Sequence, residues 1–336
     1  MYHPRLYGEY YEMGLKYGTL LREKADFVLP KINSKKRRFG LESYKELQRF
    51  YPEVVEEIKG FANGINDQPE NLGAFLLSLG VFDTGGQCSV FAFKNEDSVV
   101  VGRNYDMLFA FKKFTESSLI APNDKYAYIS QSDIFIGRSD GINEKGLSIA
   151  MSFVNGTAIQ PGIGFHFVIR KVLENCSTTA QAIQLIRNTR VSTANNFLIA
   201  DCTGDMAVVE SAPQKKVVRR PEHNQNYIYI TNQFISGEMT VLDRGGVEWS
   251  KSSERSQQLE KKLHSIKNMD QLKAKQILSD ECICLNLKKE KFGTIWSVVG
   301  NLNNLSIERA ETRPKVYNYN SEKRLDWWLK KRNKRS

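Results

Sequence analysis

The sequence has little cysteine, little histidine and no long apolar run. No hydrophobic stretch approaches the roughly 18 residues that a bilayer-spanning helix needs, which argues against membrane insertion. The first residues, MYHPRLYGEYYEMG, lack the apolar core of a secretory signal, so a cytoplasmic location is expected. The five cysteines (Cys88, Cys176, Cys202, Cys282 and Cys284) are too sparse, and odd in number, for a disulfide framework. Cys282-Ile283-Cys284 is spaced too closely for the usual zinc pair, and no second pair accompanies it. The four histidines, His3, His166, His223 and His264, form no metal-like cluster, and there is no HExxH. His166 falls in an apolar helical stretch and reads as a packed, satisfied side chain. A GxxxxGK[ST] loop and a strand–GxGxxG–helix fingerprint are both missing, which removes two common nucleotide sites.

What is present is ordinary globular composition: 336 residues, 41% hydrophobic and 26% charged. The length suggests about two structural units, but no linker or repeat separates them. The net charge is +10. Glu322 to Ser336 carry seven basic and two acidic residues, and Lys35, Lys36, Arg37 and Arg38 form a second basic run. These read as solvated surface and a frayed tail, or as weak attraction to anionic partners. No nucleic-acid motif accompanies them, so no specific nucleic-acid partner is expected.

The first 80 or so residues read as helices, including PEVVEEIKGFANGI, which Pro52 opens. The pattern then turns to strands: SVFAFK and SVVVGRNYD around a turn, YAYISQ, and INEKGLSIAMSFV. Two helices follow, FHFVIRKVLENC and AQAIQLIRN, the second capped by Ser177 or Thr178. NNFLIADCTGDMAVVES reads as a hairpin turning at Thr203-Gly204. VVRR, YIYITNQF and TIWSVVGNLNNLSIERAE add strands around helical spacing over 251–279. Contiguous hairpins flanking helix pairs predict an α+β protein with antiparallel sheets.

The chemically informative stretch is GGQCSVFAFKNEDSVVVGRNYDM. Cys88 opens a strand, and Arg103 and Asp106 follow one hairpin later. A two-strand hairpin brings these ends together. A guanidinium beside a thiol favours thiolate and lowers its pKa. A carboxylate there could hold an ammonium group. On spacing alone, a buried cysteine beside a surface salt bridge fits as well.

Nine segments resemble, in order, the choloylglycine hydrolase and isopenicillin N acyltransferase group of N-terminal nucleophile hydrolases. They are PEVVEEIKGFANGI, Cys88-Ser89, GRNYDM, DGINEKGL, NNFLIAD, VVESAP, ITNQF, SSERSQQLE and TIWSVVGNL. The long segment before the cysteine is more similar to the acyltransferase branch. The resemblance implies a four-layer αββα sandwich, and a precursor that cleaves itself between Gln87 and Cys88. Residues 1–87 would form a helical propeptide or small chain and residues 88–336 the catalytic large chain, the two staying associated. Cys88 would then carry a thiol and a free α-amine, whose unperturbed pKa of roughly 7.7–8.0 suits a base near neutrality.

The other roles follow from the same resemblance. Arg103 steadies the thiolate, Asp106 orients the α-amine, the Asn232 side-chain amide donates to the oxyanion, and Arg255 braces the site. A backbone N–H at Phe153, counted from Gly146, is the second oxyanion donor. Asn143 reads as a turn residue, Asn195 and Asn196 as shaping a strand end or lining the site, and Glu210 as an ion-pair or wall residue. The residue before the nucleophile, Gln87, is larger than a tight self-cleaving bend prefers, and Gly85 and Gly86 would supply the flexibility. The expected function is cleavage of a linear N-acyl amide, or transfer of its acyl group, through a thioester on Cys88, with no metal or organic cofactor. Penicillins, conjugated bile acids, N-acyl amino acids, N-acyl homoserine lactones and lipid amides all fit this machinery. Homo-oligomerisation stays open. The rival is an uncleaved, silent relative that binds a ligand or an anion.

Overall fold

The computed structural model describes residues 1–82, 86–246 and 248–334. Gly85 lies outside them. The chain begins with a strand, β1 (Arg5–Gly8), where only helices were expected. Helices α1 (Tyr10–Ala25), α2 (Ser34–Phe50), α3 (Pro52–Gly64) and α4 (Pro69–Ser78) follow. Pro52 and Pro69 sit at helix starts, where a missing N–H costs nothing, and the Asn33 side chain caps α2. The expected hairpin is β2 (Gln87–Lys94) and β3 (Val99–Leu108). Next come β4 (Glu116–Pro122), β5 (Tyr128–Ser132), β6 (Asp140–Asn143) and β7 (Leu147–Phe153).

Helices α5 (Phe165–Asn175) and α6 (Thr179–Asn188) follow, the latter capped by Thr178. Strands β8 (Asn195–Asp201) and β9 (Met206–Ser211) meet around Gly204, whose φ of +90° favours glycine. The rest is β10 (Lys216–Arg219), β11 (Tyr227–Ile230), α7 (Gly237–Thr240), α8 (Ser252–His264) and α9 (Gln271–Leu278). It closes with β12 (Asn286–Leu287), β13 (Phe292–Asn301), β14 (Ser306–Ala310), β15 (Asn320–Glu322) and α10 (Arg324–Asn333).

The strands form two sheets, ordered β1-β4-β5-β6-β7-β8-β9-β10 and β11-β2-β3-β13-β14-β15, with β12 also on β13. Pairing is antiparallel except between β1 and β4. Period-2 alternation builds the layers. Leu147, Ile149 and Met151 of β7 pack with α1, α3 and α5, while Ala150 faces the second sheet. Val90 and Ala92 of β2 face the first sheet, while Phe91 and Phe93 pack under α8 and α9. The architecture is the expected αββα sandwich.

Residue 87, the expected chain boundary, coincides with no gap in packing. Tyr17, Tyr51 and Phe61 share one apolar core with Phe167, Leu173 and Phe197. Buried Arg170 pairs with Glu57 of α3 and with Glu174, 2.8 Å from its Nε. Helices α1 and α3 cross through glycines four apart on each. A Cβ on Gly14 would lie 2.0 Å from the Glu57 carbonyl oxygen, and one on Gly60 2.0 Å from that of Tyr11. Backbones approach this closely only without side chains between them.

Three expectations change. The frayed basic tail is instead mostly helix α10, whose Trp328 ring lies 4.9 Å from Tyr7 and whose Arg324 donates to the Ser117 carbonyl at 2.6 Å. Its cations cluster in the last turn, where the helix dipole favours them. His166 is packed but not satisfied: neither ring nitrogen has a hydrogen-bond partner among the described residues, and burial pulls its pKa down to about 3. Strand β4 was missed because its buried Ser117 and Ser118 look like surface. Among the described residues no helix is long and apolar enough to cross a membrane.

Candidate active site

The β2–β3 register pairs Cys88 with Tyr105 and Gln87 with Asp106. Alternation then sends side chains to two faces. Cys88 and Arg103 point between the sheets, and Arg103 Nη2 donates to Cys88 Sγ at 3.3 Å. Gln87, Ser89 and Asp106 point the other way, toward Arg255 of α8.

Arg103 is buried and held on three further acceptors. Its Nη1 donates to Asp140 Oδ2 at 2.6 Å and to the Ser139 carbonyl at 2.8 Å, and its Nη2 to the Met151 carbonyl at 3.3 Å. Its charge was expected to lower the Cys88 thiol's pKa. The pull exists, but burial outweighs it, and the thiol stands above its ordinary value. Asp140 shares the guanidinium's charge as well.

Asp106 is fully buried. Its Oδ1 accepts from Thr294 Oγ1 at 2.5 Å. Its Oδ2 has no hydrogen-bond partner among the described residues and lies 3.9 Å from Arg255 Nη1. Burial pushes this carboxyl up to about 6, against the opposing pull of Arg255 and Thr294.

Asn232 and Arg255 close the site from β11's end and from α8. Asn232 Oδ1 accepts from the Cys88 N–H at 2.8 Å and from Arg255 Nη2 at 3.0 Å. Its Nδ2 donates to the Phe153 carbonyl at 2.9 Å and the Gly86 carbonyl at 3.3 Å. Arg255 Nη1 donates to the Cys88 carbonyl at 2.6 Å and to Ser89 Oγ at 3.0 Å, and Nη2 to Gln87 Oε1 at 3.4 Å. The Met151 N–H donates to Ser139 on one side of β7 and the Val154 N–H to Ala194 on the other. By that alternation the Phe153 N–H shares the edge of its own carbonyl, beside the Asn232 amide.

All seven sequence-derived positions, Gln87, Cys88, Arg103, Asp106, Phe153, Asn232 and Arg255, therefore meet in one place. Asn143 is a turn residue, its Oδ1 accepting from Lys145 and Leu147 N–H groups. Asn196 braces the Asn232 segment through the Thr231 and Gln233 carbonyls. Glu210 caps the Ile235 N–H at 3.0 Å. Asp140, Thr294 and Ser252, which accepts from the Asn232 N–H at 3.0 Å, went unnoticed. Asp140 and Thr294 are the first residues of two segments quoted above, DGINEKGL and TIWSVVGNL, and Ser252 opens a third, SSERSQQLE.

A cavity of about 380 Å³ adjoins the cluster, lined by Gln87, Asn232, Phe153, Val154, Phe82 and Ile159 among others. Cys88 itself is 1% exposed. Among the described residues no group of His, Cys, Asp and Glu could hold a metal ion.

Two packed, mainly antiparallel sheets between helices, with Gln87 and Cys88 at the start of β2, form an N-terminal nucleophile hydrolase-like fold. Residues 92–315, about two thirds of the chain, match the acyl-coenzyme A:6-aminopenicillanic acid acyl-transferase family, and the chain belongs to it. That match begins after Cys88 and contains Arg103, Asp106, Phe153, Asn232 and Arg255. No curated protein sequence matches the chain. Among solved structures, a variant of conjugated bile acid hydrolase from Clostridium perfringens is similar at 16% identity, with TM-score 0.54, over 70% of this chain and 92% of its own. Penicillin V acylase from Agrobacterium tumefaciens is 18% identical over 67% of this chain and 83% of its own, with TM-score 0.48. The Caenorhabditis elegans ortholog of N-acylethanolamine-hydrolyzing acid amidase is 20% identical over 64% and 93%, with TM-score 0.49.

Proposed function

We propose that the chain is the precursor of a cysteine N-terminal nucleophile enzyme that cleaves a linear N-acyl amide or transfers its acyl group. The observation that carries this is a set of contacts on one residue. Cys88 has Arg103 on its sulfur, Asn232 on its nitrogen and Arg255 on its carbonyl oxygen. A cysteine kept only for packing needs none of these.

In self-cleavage, Cys88 Sγ attacks the Gln87 carbonyl carbon. The S–C bond forms, the C–N bond breaks, and the thiol proton ends on the departing nitrogen. Water hydrolyses the thioester and leaves Cys88 with a free α-amine. Asp106 Oδ2, which has no hydrogen-bond partner among the described residues, is the acceptor for that ammonium group. Freed from the peptide bond, residues 86–87 can withdraw and open the sulfur to the adjoining cavity.

Catalysis repeats the chemistry on substrate. The thiolate adds to the acyl carbonyl, and the Asn232 amide and the Phe153 N–H hold the oxyanion. The α-amine passes the thiol proton to the leaving amine, and water or a second amine resolves the thioester. The shared core and the Arg170–Glu57 pair keep residues 1–87 bound to the rest after cleavage. Water is the default acceptor, so hydrolysis is the favoured outcome.

Intact mass and N-terminal sequencing test the reading. Two fragments, the larger beginning at Cys88, are expected from the wild type, and one full-length species from Cys88→Ala, which is also inactive. A wild-type chain that stays whole after prolonged incubation, or amide hydrolysis retained by Cys88→Ala, overturns it. Staying whole would favour the silent, ligand-binding rival, which the burial of Cys88 suits.

A further inference from the structure

Among the described residues, the cavity beside Cys88 carries one cationic side chain, Arg244. It sits in a short loop, 242–246, that is tied to the segments after both proposed oxyanion donors. On the Phe153 side, Thr157 N–H donates to the Leu242 carbonyl at 2.9 Å, Arg244 N–H to the Asn155 carbonyl at 2.8 Å, and Asn155 Nδ2 to the Gly245 carbonyl at 2.9 Å. On the Asn232 side, the Phe234 N–H donates to Asp243 Oδ2 at 3.0 Å. The loop backbone is therefore fixed to the walls of the site.

The guanidinium is only partly used. Arg244 Nη2 donates to the Thr157 carbonyl at 2.9 Å, which steers it along the cavity wall. Its other nitrogens have no hydrogen-bond partner, and no carboxylate pairs with it, among the described residues. The neighbouring Asp243 makes no ion pair with it; its two oxygens accept the Phe234 and Gly245 N–H groups instead. The rest of the lining is neutral: apolar at Val81, Phe82, Val154 and Ile159, and amide or hydroxyl at Asn155 and Thr157. The apolar side runs on past Phe82 and Ile159, which also line a groove against α2. There Arg38 is balanced by Glu42 at 3.2 Å, and Lys35 lies 4.8 Å over the Phe82 ring. The cavity wall is thus apolar at Phe82 and Ile159, the groove beyond them mixes Phe39 with the charges of Lys35, Arg38 and Glu42, and Arg244 is the cation on the cavity's own wall.

We propose that Arg244 is the specificity-determining residue of the site, and that the substrate is an N-acyl amide bearing a carboxylate. This rests on the amide-cleaving reading above and narrows it. The carboxylate can belong to the amine half, as in an N-acyl amino acid, or to the acyl half, as in the monoamide of a dicarboxylic acid. A planar guanidinium with free N–H groups suits either.

The test uses the self-cleaved enzyme and three amides of matched size: one with the carboxylate on the amine half, one with it on the acyl half, and one neutral. The wild type is expected to prefer one anionic amide over the neutral one in kcat/KM by about tenfold, the range for a charge-assisted contact at a partly exposed site. The preference lies in KM and fades with added salt. Which anionic amide is preferred assigns the half. Arg244→Gln should bring the anionic-to-neutral ratio near one, Arg244→Lys should restore part of it, and Arg244→Glu should invert it. Using the ratio cancels any general effect of losing the bond to Thr157. A wild-type ratio of one for both anionic amides, or a ratio that Arg244→Gln leaves in place, overturns the assignment while amide hydrolysis stands. A chain that neither cleaves itself nor hydrolyses any of the three overturns both.

Discussion

Asp106 gives the site a pH signature that can be measured without any substrate. The comparison is Cys88→Ala against Cys88→Ala/Asp106→Asn, both expected to remain uncleaved. Burial raises the folded-state pKa of Asp106 from 3.8 to about 6. In the unfolded chain the group ionises near its ordinary value. Between these values the folded state holds a proton that the unfolded state has lost. Stability is therefore greater at the acid end and falls as pH rises through the window. A shift of about two units corresponds to about 3 kcal/mol.

Asparagine carries no charge to bury and keeps an oxygen for Thr294. At neutral pH the double variant should be more stable than the single one by up to about 3 kcal/mol, and the gap should close below about pH 4. Urea unfolding across this range, with unchanged m-values, reads the difference directly. A gap that does not vary with pH refutes the reasoning. So does a gap of opposite sign at neutral pH, which would mean that Arg255, 3.9 Å away, holds the carboxylate charged. In the Cys88-containing chain the same Asp106→Asn change takes away the acceptor for the new ammonium group and should lower amide hydrolysis, giving stability gained where function is lost.

Asp140→Asn leaves Arg103 its anchor but removes the negative charge 2.6 Å from Nη1, so the Cys88 thiol pKa should fall. Thiolate ultraviolet absorbance against pH, referenced to Cys88→Ser, checks this, and an upward move refutes it. Gly60→Ala places a methyl 2.0 Å from the Tyr11 carbonyl oxygen and should cost at least about 1–3 kcal/mol by forcing α1 and α3 apart. Chemical unfolding at the wild-type midpoint would count against that close crossing.

The parts of the site that were legible are those that local geometry determines. Cys88, Arg103 and Asp106 belong to one hairpin, and antiparallel pairing converts their spacing into proximity. Asn232, Arg255 and Phe153 came from the family resemblance alone. Asn232 and Arg255 meet Cys88 across 144 and 167 residues of sequence, and no periodicity records such a contact. The layers were legible for the same local reason: apolar alternation marks β7, and a short apolar run bounded by polar residues marks β8. Strand β4 escaped because its buried Ser117 serves Arg309 and Arg324 and its buried Ser118 serves Glu116, so polarity there marks a filled interior rather than a surface. Glycines four apart on α1 and α3 stand openly in the sequence, but each pair acquires meaning only against the other helix. The position of His166 was readable from its apolar neighbours, whereas its lack of partners was not.

Gln87 shows how alternation resolves a difficulty that sequence raises. A large residue before a self-cleaving cysteine is expected to crowd the attack. In an extended strand, however, successive side chains leave on opposite faces. The Cys88 sulfur points between the sheets toward Arg103, and the Gln87 amide points to the other face, where its Oε1 accepts from Arg255 at 3.4 Å. Its bulk therefore lies away from the sulfur. Arg255 thereby holds both sides of the scissile bond, the Gln87 side chain and the Cys88 carbonyl. On this geometry, replacing Gln87 with glycine would remove a tether to Arg255 rather than relieve a clash. Self-cleavage should then slow in Gln87→Gly, as followed by intact mass over time, and faster processing would show that steric crowding governs the step instead.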